Sequence, residues 1–171
     1  MTLDEYQSKV CESSQKPAYW GTLTIDLCAA ACKASGIWSD ILNCPLSMTD
    51  AQMRQLNRKF ADEIGKVLRI LAILTHEAGI PLSTVYKYAH HSGMGDAGVT
   101  KYVLRLVGST GDFLCPSMVG TDLDFKRLIE NNSVFIMHDA LNVIAALTMF
   151  SIDDIITNDL IRMQKRKKGK P

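Results

Sequence analysis

The stretch Ala61–Leu74, ADEIGKVLRILAIL, decides the fold. Its apolar residues Ile64, Val67, Leu68, Ile70, Leu71 and Leu74 recur at three- and four-residue spacing, the period of one face of an α-helix. A helix carrying that stripe belongs in a core. Glu63 and Lys66 stand three apart near the edge of the stripe, nearly one above the other. Two readings are open. One is an ordinary ion pair on a surface edge, contributing about 0.2–0.5 kcal/mol. The other is an altered metal-binding edge, in which lysine stands where a second carboxylate would hold an ion.

Outward from this stretch, helical spacing recurs throughout, and only the short apolar run Ser133–Met137 departs from it, so the fold class is all-α. Thr2 followed by Glu5 has the pattern of a capping box ahead of Tyr6 and Val10. After a break at Pro17, a second helix is predicted from about Thr22 to Leu42, with Gly36 as a candidate interruption. The loop NCPLSMTDAQ then supplies an N-cap at Thr49 or Asp50. The third helix is predicted from about Thr49 to Ala78 and stops at Gly79, with Pro81 opening a short helix over Ser83–His90. HSGMGDAG follows, and its three glycines mark the clearest hinge.

Beyond the hinge the pattern starts again. TKYVLRLVGSTGDFL parallels GTLTIDLCAAACKAS, and VFIMHDALNVIAALTMFSIDDIITNDL parallels the segment from Lys59 to Ala89, in the order long apolar helix, break, short helix. Placing Glu63 against Asp139 sets Lys66 against Asn142, Val67 against Val143 and Leu68 against Ile144. We read a weak internal duplication. The boundaries are a first helical half over 1–92, a glycine-rich hinge over 93–98, a second half over 99–161 and a basic tail over 162–171.

The 171 residues, 47% of them hydrophobic, suffice for a single folding unit with a sizeable core. No run of eighteen apolar residues occurs, and MTLDEYQSK lacks a basic segment followed by an apolar one. Neither a membrane span nor a signal peptide is expected, and the expected location is the cytoplasm. Five cysteines without a C-x-x-C pair argue against a disulfide framework or a zinc cage, and Cys28 and Cys32 read as small buried residues. The formal charge of +1 hides an asymmetry: the last ten residues carry six basic and no acidic side chains, leaving about −5 elsewhere. Nucleic acid is therefore an expected partner only through that tail, which otherwise reads as a solvated terminus.

LDEYQ (3–7), DLCAAACKA (26–34), DEIGKVLRILAIL (62–74) and HEAGIPLSTVYKYA (76–89) together resemble the MazG-like all-α nucleoside triphosphate pyrophosphohydrolases, especially the small phage-type members. The resemblance covers about Thr2–Ala89 and recurs more faintly over Lys101–Arg166. It implies a helical bundle in which E-x-x-E on one helix and E-x-x-D on the next hold magnesium, a hard cation that takes oxygen ligands. Carried onto this chain, the first pair becomes Ala30 and Lys33, Glu63 is retained, and the final aspartate becomes Lys66. In the second half the corresponding residues are Ser109, Asp112, Asp139 and Asn142.

The resemblance thus implies a nucleotide or nucleotide-derived ligand contacted by Lys33, Lys66, Ser109 and Asn142, with most metal carboxylates lost and no cofactor needed. A phage protein that sequesters a host signalling nucleotide would use such a pocket. The alternative is an active magnesium-dependent pyrophosphohydrolase with Glu63, Asp112 and Asp139 as its catalytic and metal residues. A third class is a helical interaction protein whose basic tail grips an acidic partner. A homo-oligomer is compatible with each.

Other patterns are weaker. His76, His90 and His91 lack metal-ligand spacing, while His138 beside Asp139 can tune a polar site. No P-loop, nucleophile elbow or dinucleotide fingerprint occurs; GMGDAG has no preceding strand. Trp20, Trp38, Tyr19 and Tyr102 read as core anchors rather than base-stacking residues.

Overall fold

The long apolar helix becomes the axis of the molecule. The computed structural model describes residues 1–13, 20–91, 98–113, 122–146 and 150–168; side chains at 90–91, 122–124, 146 and 166–168 lie outside the description. Those residues form seven helices and no strand: α1 (Leu3–Ser13), α2 (Trp20–Leu42), α3 (Asp50–Glu77), α4 (Leu82–His91), α5 (Val99–Gly111), α6 (Asp122–Ala146) and α7 (Ile152–Lys168). Every apolar residue of the opening stripe is buried, with Ile64, Val67, Leu71 and Leu74 fully enclosed. Removing a side chain of that size from water contributes about 1.5–3 kcal/mol, so this stripe alone holds α3 in the centre.

The ends of α3 follow from local chemistry. Thr49 is the N-cap, accepting from the Gln52 amide while the Gln52 side chain accepts from Thr49 N, a complete capping box. At the other end Gly79 adopts φ 74°, Gly79 N donates to His76 O and Ile80 N to Thr75 O. This double bond pattern needs a left-handed residue, which glycine supplies without a Cβ clash. Thr2 and Glu5 form the box expected at the start of α1.

Helix α3 packs against α1, α2, α6 and α7 and touches α4, while α5 packs on α2 and α6. The helix that follows each long helix lies mainly on the other long helix, α4 on α6 and α7 on α3. The helices before and after residues 92–97 are therefore interleaved in one packed body. At the α3–α7 crossing, a Cβ on Gly65 would lie 3.3 Å from Ile155 Cγ2 and 3.5 Å from Asp159 Cβ, so α7 rests on the α3 backbone itself.

Several expectations are corrected. Helix α2 runs through Gly36 without interruption. Ser133–Met137 is not an extended run but lies inside α6, which begins at Asp122, well before the apolar segment that signalled it. The basic run starting at Arg162 is no detached tail, because α7 continues through it to Lys168. Acidic Asp153 and Asp154 in the first turn of α7 complement the helix dipole. Cys32 is exposed and Cys28 partly exposed, because the face of α2 that meets the core is lined by Leu23, Leu27, Ala30, Ala31 and Ala34. The hinge glycines other than Gly98, together with Pro17, Tyr19 and Cys115, fall outside the described residues, as do the side chains of His90 and His91. Trp20 packs on Phe125 and Trp38 on Phe60, and Tyr102 is buried, so these aromatics anchor the core. No helix among the described residues is long and apolar enough to cross a membrane.

Candidate functional site

The polar edge of α3 faces a cleft closed by α2 and α7. Ile37 of α2 lines it, and α3 supplies Lys59, Asp62, Glu63, Lys66 and Arg69. Asp159 and Arg162 complete it from α7, around a volume of about 350 Å³. Residues 59, 62, 63, 66 and 69 follow the three- and four-residue steps of one helical face, which is why a single helix can present them together. Lys66 Nζ sits 2.5 Å from Glu63 Oε1. Arg69 Nη1 lies 2.9 Å from Asp159 Oδ1, and Arg162 pairs with Asp62.

This is no open surface edge. The Glu63 side chain is 13% exposed, and its Oε2 is buried without a hydrogen-bond partner. The ion pairs engage Lys66, Arg69 and Arg162 and leave exposed Lys59 to solvent, so cations outnumber carboxylates by four to three. A neighbouring cleft of about 350 Å³ shares Asp62, Asp159 and Arg162 and adds Arg58 and Phe150. Beneath both, Asp159 is 4% exposed and accepts a hydrogen bond from Tyr6 Oη at 2.9 Å. Burial and the Asp159 charge raise the Tyr6 hydroxyl far above its ordinary range, so it acts as a fixed donor.

The second group of expected residues converges elsewhere. Asp139, on α6, is fully buried. It is approached by Ser109 Oγ of α5 at 3.5 Å, His138 Nδ1 at 3.3 Å and Arg105 Nε at 3.3 Å. Asn142 is one turn further along α6 and donates Nδ2 to His138 O at 2.8 Å. Burial raises the Asp139 carboxyl above the usual range, against the opposing pull of His138, Arg105 and Ser109. A carboxyl raised on folding gives stability that is complete below its unfolded pKa and disappears as pH rises through the folded value. At neutral pH the Asp139 charge is therefore a liability. Asp139→Asn is expected to raise Tm at pH 7, with the gain shrinking toward pH 4 when Tm is followed against pH.

Beside this group, Tyr86, His138, Asn142, Phe150 and Ile152 line a mainly apolar slot of about 200 Å³ between α4, α6 and the start of α7. Phe150 thus borders both this slot and the cleft that contains Arg58, Asp62 and Arg162.

Of the expected site residues, Glu63 and Lys66 meet in the first cleft, while Ser109 approaches Asp139, and Asp139 and Asn142 each contact His138. Asp112 is exposed at the C-cap of α5. Lys33 is exposed on α2, one turn before Ile37 of the cleft wall. No group of three or more His, Cys, Asp or Glu placed to hold a metal ion occurs among the described residues. Glu63 Oε1 is taken by an ammonium group, and Asp139 is enclosed by its own partners, so these residues do not fit a multi-carboxylate magnesium site.

Sequence reasoning missed Arg69, Asp159, Tyr6 and Asp62 as members of the first cleft, and Tyr86 and Phe150 of the slot. Asp159 meets Arg69 across 90 positions and Tyr6 across 153, and no local spacing encodes such contacts. Arg162 carried a signal as part of the basic run, although its place in the cleft did not. No family model, curated protein or solved structure matches the chain.

Proposed function

We propose that the cleft between α2, α3 and α7 binds the phosphate groups of a nucleotide or nucleotide-derived signal and holds the ligand without hydrolysing it. The observation that carries this reading is the Lys66 ammonium seated on Glu63, inside a cleft where Lys59, Arg69 and Arg162 also converge. A magnesium ion at Glu63 would have to displace that ammonium group, whereas a phosphate oxygen can approach it directly. The Arg162–Asp62 pair gives a second anion position, since a phosphate can replace the carboxylate on the guanidinium in bidentate fashion. Lys33, exposed on α2 one turn before Ile37 of the cleft wall, would add long-range attraction. The resemblance of α2–α4 to nucleotide-handling helices supports a nucleotide over a bare anion, and retention without turnover suits a sequestering protein.

With ATP as the probe, Lys66→Ala and Arg162→Ala are each expected to weaken binding by about tenfold or more, the size of one lost charge-assisted hydrogen bond. Titration calorimetry at two salt concentrations checks this, and affinity should fall as salt rises. Unchanged ATP affinity in a Lys33→Ala, Lys66→Ala double variant would sink the proposal.

A further inference from the structure

We infer that the slot between α4, α6 and the start of α7 receives the heterocyclic base of the ligand and recognises an exocyclic amino group on it. For the ligand's phosphate end this rests on the cleft assignment above; the slot itself stands on separate observations. Tyr86 and Phe150 give it aromatic walls and Ile152 an apolar one, an environment in which a flat ring stacks and a charged group loses its hydration. The volume of about 200 Å³ has room for one fused ring system.

The polar edge of the slot is fixed. Asn142 is 95% buried by its 5% exposure, and its Nδ2 is held at both ends of its reach, 2.8 Å from His138 O and 3.3 Å from His138 Nε2. His138 is in turn held by Asp139 at 3.3 Å. With the N–H₂ end so committed, Oδ1 is the amide atom left to accept from a ligand in the slot that Asn142 lines. A ring carrying an amino group at its edge supplies the donor; a ring with a carbonyl there sets oxygen against oxygen. Sites built around a buried hydrogen-bonding group discriminate in this way because the mismatched ligand leaves that group unpaired.

Phe150 also explains how base and phosphate meet in one ligand. It borders the slot on one side and, on the other, the cleft containing Arg58, Asp62 and Arg162. A nucleotide with its base against Phe150 would point its phosphate toward Arg162.

The test is calorimetric titration of the full chain with AMP, IMP, adenosine and inosine, which differ at one ring position and in the phosphate. AMP is expected to bind about tenfold tighter than IMP, and adenosine tighter than inosine by the same factor, the value of one hydrogen bond. Asn142→Leu should abolish both preferences, and Phe150→Ala should weaken all four ligands, each without lowering Tm enough to unfold the protein at the assay temperature. Equal binding of AMP and IMP by the unaltered protein overturns the inference whatever the variants do. So does the absence of binding by all four ligands. If adenosine binds with its preference intact while AMP gains nothing and ignores Arg162→Ala, the slot stands and the phosphate cleft falls.

Discussion

Asp159→Ala is expected to destabilise the protein by about 3–5 kcal/mol, the range found when one partner of a buried ion pair is removed. The carboxylate is 4% exposed and serves two groups at once, accepting from Tyr6 Oη and pairing with Arg69, whose side chain is 17% exposed. Its loss leaves a guanidinium and a phenol without the acceptor around which α1, α3 and α7 are gathered. For a chain of this length the change corresponds to a drop in Tm of about 10 °C. Asp159→Leu combined with Arg69→Met and Tyr6→Phe should recover most of that loss, because an apolar replacement of the whole network leaves no orphaned charge. Thermal denaturation of the single and triple variants checks both statements.

The second large effect is expected at Gln7. This side chain is 5% exposed, and its amide joins three elements. Nε2 donates toward Ala72 O, Thr75 Oγ1 and Ile80 O, while Oε1 accepts from Leu82 N at 3.1 Å. Ile80 O lies in the turn after Gly79 and Leu82 N is a first-turn donor of α4, so neither has a helical ladder to satisfy it. Gln7→Leu should destabilise by about 3 kcal/mol or more, because a buried donor and buried acceptors lose their partner together. Gln7→Glu keeps the acceptor for Leu82 N but sets a carboxylate against two carbonyls, so it should be nearly as harmful at neutral pH. Urea denaturation midpoints at constant slope measure both variants. A loss below about 1 kcal/mol for Gln7→Leu would mean that water replaces the amide and that α1 is not stapled through this residue.

Much of the architecture was legible because it is local. The stripe from Ile64 to Leu74, the capping residues Thr2 and Thr49 and the stop at Gly79 each act within a few residues, and each appears where the sequence places it. Where the sequence misled, a longer-range term decided the outcome. Gly36 carries a helix penalty of about 1 kcal/mol relative to alanine, too little to break a helix that packs on the core through buried Ala31 and Ala34 before it and partly buried Ile37, Trp38 and Ile41 after it. Helix α6 extends back to Asp122 because Phe125 and Ile129 have tertiary partners, which a periodicity search centred on the apolar run does not see. The site was legible only in part. Glu63 and Lys66 are neighbours on one helix, but the residues that turn their edge into a cleft come from α7, brought there by the close approach at Gly65. Their meaning depended on burial, which the sequence could not assign: an ion pair on an open surface contributes little, whereas one in a cleft with further cations can meet a ligand.

On the proposed reading Lys66 is the decisive residue, since its ammonium group, seated on Glu63, would obstruct a metal ion there and receive a phosphate. The most direct measurement is thermal stability against a panel of nucleoside triphosphates, cyclic dinucleotides and NAD-derived molecules, with and without magnesium, with each stabilising compound then analysed for breakdown. A ligand at a hundred times its dissociation constant adds about 2.7 kcal/mol, a readily visible shift. The expected result is stabilisation that does not require magnesium, leaves the ligand intact and is reduced in Lys66→Ala. Magnesium-dependent conversion of a triphosphate to monophosphate and pyrophosphate, or no stabilisation by any member of the panel, would contradict it.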